Sequence, residues 1–164
     1  MDIRPFLKIE KTDFDKANYE KFIEERKKYI QREIDRFLKE FFGERFFAEY
    51  KEEYVNKVIK KKIENAIANN KGLFITGNVG SGKTTTLLYI MKKLLIKETE
   101  GLLEVDDLDL ESVFSLFYIE NSVKFFNTIY SKVDHIVEDV KYLAIDDLGV
   151  EYESEKSYSF FDYI

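Results

Sequence analysis

Residues 73–88 read LFITGNVGSGKTTTLL and decide the fold, because they pass from an apolar run through a glycine-rich loop into a helical pattern. Within them, Gly77–Thr84 matches the pattern G-x-x-x-x-G-K-[ST] at every fixed position. Glycines let successive N–H groups turn inward and form, with the N-terminus of the following helix, a nest for phosphate groups. The alternative is a chance match in an ordinary turn, and the strand–loop–helix context argues against it. The stretch therefore predicts a nucleotide-binding loop.

Two side chains of this loop have predicted chemical roles. Lys83 would place a positive charge near the β- and γ-phosphates of a bound nucleotide. The hydroxyl of Thr84 would ligate Mg²⁺. No Asn-Lys-x-Asp element, which would read guanine, is visible in the sequence, and this favours ATP over GTP.

A second chemical element, YLAIDD, occupies residues 142–147. Its continuous apolar pattern predicts a buried strand, and ligands of open α/β sheets bind beyond the carboxyl ends of such strands. Asp146 would hold Mg²⁺ through its water shell, and Asp147 would act as the general base for an attacking water or orient it. The alternative is a strand that ends in a solvated acidic turn.

The first part of the chain carries two helical patterns. Apolar residues at three- and four-residue steps predict a long amphipathic helix from about residue 13 to 42, ended by Gly43. A second helical stripe runs over residues 46–67 and ends near residues 69–72. The lysines within it form either a nucleic-acid contact or, as we prefer, a solvated helix face. These lysines are Lys57, Lys60, Lys61 and Lys62.

The region between the two chemical elements is predicted to alternate between helix and strand. A helix follows the loop over residues 84–95 with Gly101 as its cap, and Val113–Ile119 is predicted to be a buried strand. A helix capped by Asn121 or Ser122 follows. The acidic connector at residues 104–111 lacks the glycine and the final glutamate of an EF-hand, so we interpret it as a plain loop rather than a Ca²⁺ site.

Composition limits the class of protein. The chain has 164 residues and a net charge of −6, and this charge argues against an extensive basic surface for nucleic acid. It has no cysteine and a single histidine, His135, so cysteine-ligated and histidine-based metal sites are excluded. Its apolar runs are shorter than the roughly 20 residues of a membrane span, and MDIRPFLKIEK lacks the core of a signal peptide. We expect a cytoplasmic protein without a membrane segment.

The combination of KGLFITGNVGSGKTTTL with the later KYLAIDDLGVE resembles the DnaC/DnaI/IstB group of AAA+ ATPases, which includes bacterial helicase loaders and the ATPase partners of transposases. The tetrad Asp146–Gly149, with Glu151 soon after, is the most specific feature, and the resemblance covers residues 45–164. It implies catalytic roles for Lys83 and Asp147, and Mg²⁺ binding by Thr84 and Asp146. The residues that it implies for the phosphates of ATP are Gly77, Asn78, Val79, Gly80, Ser81, Gly82, Lys83, Thr84 and Thr85.

The resemblance implies an α/β fold: an AAA+-like P-loop NTPase core with a parallel sheet at residues 71–164, preceded by a helical region at residues 1–70. Residues 1–42 contain no zinc module of the kind found in many loaders. In the AAA+ sheet, a further strand lies between the phosphate-loop strand and the strand that ends in Asp146. We expect the core to be incomplete at its C-terminus, the chain to be an N-terminal fragment, and its hydrolysis of ATP to be weak.

Three functions compete. The preferred one is a Mg²⁺-dependent ATPase that acts as an assembly switch on a replicative helicase or transposase-type partner, with homo-oligomerisation in the full-length protein and possible contact with single-stranded DNA. A P-loop kinase for a small molecule or nucleotide is the second, and it tolerates a phosphate-loop strand directly beside the acidic strand. The third is a helical scaffold that binds nucleotide without turnover.

Overall fold

The computed structural model describes residues 13–105, 108–125 and 140–147. These residues are mostly helical and include a two-stranded parallel sheet, so the expected α/β class is met at this coarse level. The elements in chain order are α1 (Asp13–Phe42), α2 (Glu44–Glu49), α3 (Lys57–Ala68), α4 (Lys83–Thr99), α5 (Leu110–Phe114), β1 (Phe117–Asn121) and β2 (Tyr142–Asp146).

Helix α1 confirms the long helix predicted from the apolar stripe. It ends where Gly43 adopts a φ of 80°, a left-handed angle that glycine tolerates and that stops the helix. The stripe is buried only in the second half of the helix, where Ile34 and Leu38 are 1% and 0% exposed. Phe22 in the first half remains 50% exposed. The second half of α1 therefore attaches the helix to the core.

The prediction of one continuous helix over residues 46–67 is wrong. Residues 46–67 divide into α2, a 3₁₀ turn at Glu52–Tyr54 and α3. A new helix, α3, begins after Asn56, because the Asn56 side chain accepts a hydrogen bond from the Val58 N–H at 2.8 Å and caps the helix. Val55, just before this cap, is 3% exposed and packs with Tyr89 and Ile90. The predicted end is confirmed, since α3 stops at Ala68.

Helix α4 is the central element, because it has buried residues on two sides. Leu88, Met91 and Leu95 pack into the main core with α1, α5 and the two strands. Tyr89 and Ile90 face a smaller cluster with Val55 and Ile63.

The predicted cap at Gly101 is wrong. Helix α4 ends at Thr99, whose buried hydroxyl donates to the Leu95 carbonyl at 2.9 Å, and Gly101 lies inside a following 3₁₀ turn at Glu100–Leu103. The side chain of Thr99 thus competes for the last helical carbonyls before the glycine is reached.

The two strands pair in parallel, with Phe117 opposite Tyr142 and Asn121 opposite Asp146. The predicted first strand at 113–119 begins later than expected, because its first residues belong to α5. Asp109 caps α5 by accepting from the Ser112 N–H at 3.0 Å, so this acidic residue of the connector has a structural role. Asp106 and Asp107 of the same connector lie outside the described residues.

Residues 73–76 differ from the prediction, since the structure assigns no strand to them. Among the described residues, no backbone hydrogen bond joins this segment to β2, and Phe74 is 77% exposed. Both segments line one cavity of about 780 Å³. The lack of backbone hydrogen bonds between these described segments agrees with the expectation that they are not direct neighbours. However, β2 does have a partner, β1, on its other edge.

The second strand is less buried than its continuous apolar pattern predicts. Ala144 is 7% exposed, but Leu143 is 37% exposed and lines the cavity. The face of β2 that carries Ala144 packs against the main core, and on the other face Ile145 packs against the buried Phe125. Within the described parts of the chain, no helix combines the length and apolar character needed to cross a membrane.

Candidate functional site

The glycine-rich loop connects the extended segment at 73–76 directly to α4. Gly82 precedes the first residue of α4 and has a φ of 81°, which only glycine adopts without strain. Gly77 approaches Ser81 so closely that a Cβ atom at Gly77 would lie 2.6 Å from the Ser81 Oγ. The backbone angle therefore favours glycine at position 82, and a side chain at position 77 would have to displace the Ser81 hydroxyl.

The N-terminus of α4 is open to a ligand. No side chain caps it at Gly82, so the N–H groups of its first turn remain available to an anion. The loop itself is exposed from residue 77 to residue 81, and Val79 at its tip is fully exposed. Thr84 and Thr85, in the first turn, are half-buried.

Lys83 turns back over the loop. Its Nζ donates to the carbonyl oxygens of Gly77 at 2.9 Å and Asn78 at 3.0 Å. The ammonium group is thereby held at the mouth of the loop, next to the N–H groups of the helix start. Positive charge and N–H donors at one location are what a phosphate group requires.

The acid pair lies at the carboxyl end of β2. Asp146 is the last residue of the strand and is half-buried, whereas Asp147 is exposed. Asp147 has a φ of 56°, an uncommon angle for a residue other than glycine, although aspartate tolerates it better than most. Its N–H donates to Asp146 Oδ1 at 3.0 Å, so one oxygen of the Asp146 carboxylate is already engaged.

The loop and the acid pair open into the same cavity. Five predicted site residues line it: Gly77, Val79, Lys83, Asp146 and Asp147. The remaining predicted residues lie in the loop or the first turn of α4 but not on the cavity wall: Asn78, Gly80, Ser81, Gly82, Thr84 and Thr85. Two motifs distant in sequence therefore face one space, and its polar end combines phosphate-binding groups with carboxylates.

The available donors suit a hard cation. Thr84 and Asp146 offer oxygen atoms, the ligand type that Mg²⁺ prefers, and Mg²⁺ usually keeps several waters when few protein ligands are present. No group of three or more metal-ligating acids, histidines or cysteines occurs in the described ranges. A metal ion here would therefore rely on a bound phosphate for part of its coordination.

Sequence reasoning missed two groups near the cavity. Ser122, fully buried, donates its hydroxyl to the Asp147 carbonyl at 2.7 Å. Its only signal in the sequence was as a possible helix cap, and the structure gives that role to Asn121, which accepts from the Lys124 N–H at 2.9 Å. A bond between residues so far apart in sequence has no local pattern that would reveal it.

The second missed group lies at the other end of the same cavity. Lys141 contacts both carboxylate oxygens of Glu98 at 2.8 Å, and the Tyr142 hydroxyl donates to Glu98 Oε1 at 2.7 Å. The hydrogen bonds from Lys141 and Tyr142 hold the pKa of Glu98 below its ordinary value, against the opposing effect of burial. Since the three residues bond to one another, we assign them a structural role, fixing β2 to α4.

The basic cluster on α3 is partly engaged in the fold. Lys60 lies 3.4 Å from Glu52 and 5.4 Å from the ring of the buried Tyr89, which also contacts Lys93. Burial, reinforced by Glu64 and Glu52, raises the pKa of Tyr89 to about 12. The other lysines of the cluster are exposed, as a solvated face requires: Lys57, Lys61 and Lys62. His135 lies outside the described residues.

Comparison with protein-family models, curated proteins and solved structures finds no significant match to this chain.

Proposed function

We propose that this protein binds ATP with Mg²⁺ and hydrolyses it to ADP and phosphate. A single observation carries the proposal: the loop with Lys83 and the acid pair at Asp146–Asp147 line one cavity. Either motif alone is a weaker signal, because glycine-rich loops and acidic strand ends also occur without chemistry. Their convergence supplies phosphate donors and carboxylates on the same side of the molecule.

In the proposed reaction, the loop N–H groups and Lys83 bind the phosphates and offset their negative charge. Thr84 and Asp146 would hold Mg²⁺, and the ion would supply positive charge that offsets the charge of the phosphates. Asp147 orients a water molecule and accepts its proton as the water oxygen bonds to the γ-phosphorus. The bond from the γ-phosphorus to the bridging oxygen breaks, and ADP leaves with that oxygen.

A kinase is the second candidate, and it tolerates direct pairing of the segment at 73–76 with the strand that carries the acids. Among the described residues, no backbone hydrogen bond joins these two segments, so this feature does not favour a kinase. The paired acids also suit activation of water better than transfer of a phosphoryl group to an alcohol.

The biological role that we propose follows from the resemblance to helicase loaders and transposase-associated ATPases. ATP would hold one conformation through contacts to its γ-phosphate, and hydrolysis would release it, so that assembly on a DNA-associated protein partner is switched. Subunits would assemble into a homo-oligomer in the full-length protein. We place this activity in the cytoplasm, and single-stranded DNA is a candidate ligand of the assembly.

Steady-state ATP turnover by the full-length protein tests the proposal. Lys83→Ala and Asp147→Asn should each lower turnover at least about a hundredfold, since both act on charge that develops in the transition state. Asparagine is the better replacement at Asp147, because it tolerates the positive φ found there. The matched controls, Lys61→Ala and Glu104→Gln, change exposed residues away from the cavity and should behave as wild type.

Two further arms test the role of DNA and the choice of nucleotide. Stimulation of turnover by single-stranded DNA would support the loader-like role, and equal rates with and without it would remove DNA from the proposal. A requirement for a small acceptor molecule would instead favour the kinase. GTP turnover equal to ATP turnover would contradict the choice of adenine.

A further inference from the structure

Ser122 links the two strands of the sheet just beyond their carboxyl ends. It is the residue after β1, it is 0% exposed, and its Oγ donates to the carbonyl oxygen of Asp147, the residue after β2. The bond length is 2.7 Å, which is typical of a well-formed hydrogen bond from a hydroxyl group. A buried hydroxyl without a partner would be unfavourable, so this contact is favoured by burial as well as by geometry.

Hydrogen bonds hold the backbone of Asp147 at both its N–H and its carbonyl group. Its N–H donates to Asp146 Oδ1, and its carbonyl accepts from Ser122. Between these bonds lies the backbone with a φ of 56°, a conformation that persists only when its surroundings fix it. The backbone angles set where a side chain can reach, so the same bonds restrict the positions of both carboxylates.

We infer that Ser122 is a positioning residue that fixes the Asp146–Asp147 turn in the geometry needed for ATP hydrolysis, an inference that rests on the function proposed above. Ser122 is not among the residues that line the cavity. It acts through the Asp147 carbonyl. The phosphate-binding loop is a separate segment, so Ser122 influences the chemical step and leaves the contacts between the loop and the phosphates unchanged.

The test compares Ser122→Ala with Ser122→Thr, which keeps the hydroxyl, and with Ser115→Ala. Ser115 is the matched control, because its exposed hydroxyl also donates to a backbone carbonyl, that of Ser112 at 2.8 Å. Ser122→Ala should lower kcat about tenfold to a hundredfold, as expected for a misplaced catalytic group. Its Kd for ATP measured without Mg²⁺ should stay within about twofold of wild type, because the loop is intact. Ser122→Thr should restore most of kcat, and Ser115→Ala should resemble wild type.

Amide hydrogen exchange separates positioning from general loss of structure. Ser122→Ala should accelerate exchange at the Asp147 amide about tenfold or more, while the amides of Leu88 and Met91 in α4 exchange as in wild type. The inference is overturned if kcat stays within twofold of wild type, or if exchange accelerates equally in α4. If Ser122→Thr does not fold, the exchange measurement on Ser122→Ala alone still distinguishes positioning of Asp147 from general loss of structure.

Failure of the proposed function would look different. Wild-type protein without ATP turnover, together with unchanged ATP binding in Lys83→Ala, would refute the ATPase itself and with it the catalytic consequence of Ser122. The exchange measurement would still decide the anchoring. Unchanged exchange at Asp147 in Ser122→Ala would overturn the anchoring, and local acceleration would support it.

Discussion

At the scale of single residues, Lys83 shows how the loop is kept ready for a ligand. Its ammonium group is bonded to the carbonyls of Gly77 and Asn78. A phosphate group competes well with these neutral acceptors, because hydrogen bonds between two charged partners are shorter and stronger. In the proposed ATP complex, Lys83 would therefore exchange these carbonyls for a phosphate group, and the loop would not need to refold.

Gly77 provides a prediction at the same scale. A Cβ atom there would meet the Ser81 Oγ at 2.6 Å, so Gly77→Ala must displace the Ser81 side chain and distort the loop. We expect the affinity for Mg²⁺·ATP to fall about tenfold, because the phosphate donors lose their alignment. The free energy of unfolding should change by less than about 1 kcal/mol, since the loop is exposed.

Gly101→Ala is the matched control for this prediction. A Cβ atom at Gly101 has no neighbour within 4 Å, and the residue lies outside the loop and the cavity lining. Titration calorimetry should therefore find nearly wild-type affinity in Gly101→Ala. Equal losses of affinity in both variants would show that the close approach of Gly77 and Ser81 has no role in binding.

At the scale of elements, α1 is attached to the core through one half of its length. Leu38 is 0% exposed in the main core, whereas Phe22 is 50% exposed. Leu38→Ala should lower the free energy of unfolding by about 2–5 kcal/mol, the range for large buried side chains replaced by alanine. Phe22→Ala should cost less than about 1 kcal/mol. Urea denaturation measures both, and similar losses would contradict the attachment described here.

The group formed by Glu98, Lys141 and Tyr142 makes stability depend on pH. The folded-state pKa of Glu98 is lowered, chiefly by the hydrogen bond from Lys141 and then by that from Tyr142. Such a group stabilises the folded state at pH values above the ordinary glutamate pKa of about 4.3. The stabilisation is lost as the pH falls through the lowered folded-state pKa. Near pH 7, Glu98→Gln should therefore be less stable than wild type by about 1 kcal/mol.

The difference between wild type and Glu98→Gln should shrink as the pH falls below the ordinary glutamate pKa and through the lowered folded-state pKa of Glu98, because the carboxylic acid then becomes neutral like the carboxamide. Thermal unfolding over a range of pH measures this. Glu100→Gln, a change at an exposed neighbour, is the control and should differ little from wild type at any pH. A difference for Glu98→Gln that persists unchanged at low pH would show that the ion pair contributes no stability.

Element boundaries were predictable where local chemistry sets them. The end of α1 at Gly43 follows from a glycine with positive φ, and the end of α3 near Asn69 follows from turn residues. The break between α2 and α3 was not predicted, because the apolar stripe continues through it. There, the Asn56 cap and the burial of Val55 outweigh helical periodicity.

At the scale of the whole molecule, the site depends on contacts between distant parts of the sequence. The motifs identified the loop residues and the acid pair, and the structure brings Lys83, Asp146 and Asp147 to one cavity. The hydrogen bond from Ser122 to Asp147 could not be predicted, since no local pattern specifies it. The separation of residues 73–76 from β2 was expected only from the resemblance, because strand order depends on the full sheet.

In the proposed function, this cavity hydrolyses ATP with Asp147 acting on water. The measurement that tests this first is phosphate release from ATP by the full-length protein under single-turnover conditions, with Mg²⁺ and no acceptor other than water, in wild type and Asp147→Asn. We predict phosphate release by wild type, and binding of ATP with release at least about a hundredfold slower in Asp147→Asn. Bound ATP that stays intact in wild type, or release that is equally fast in Asp147→Asn, would contradict the claim.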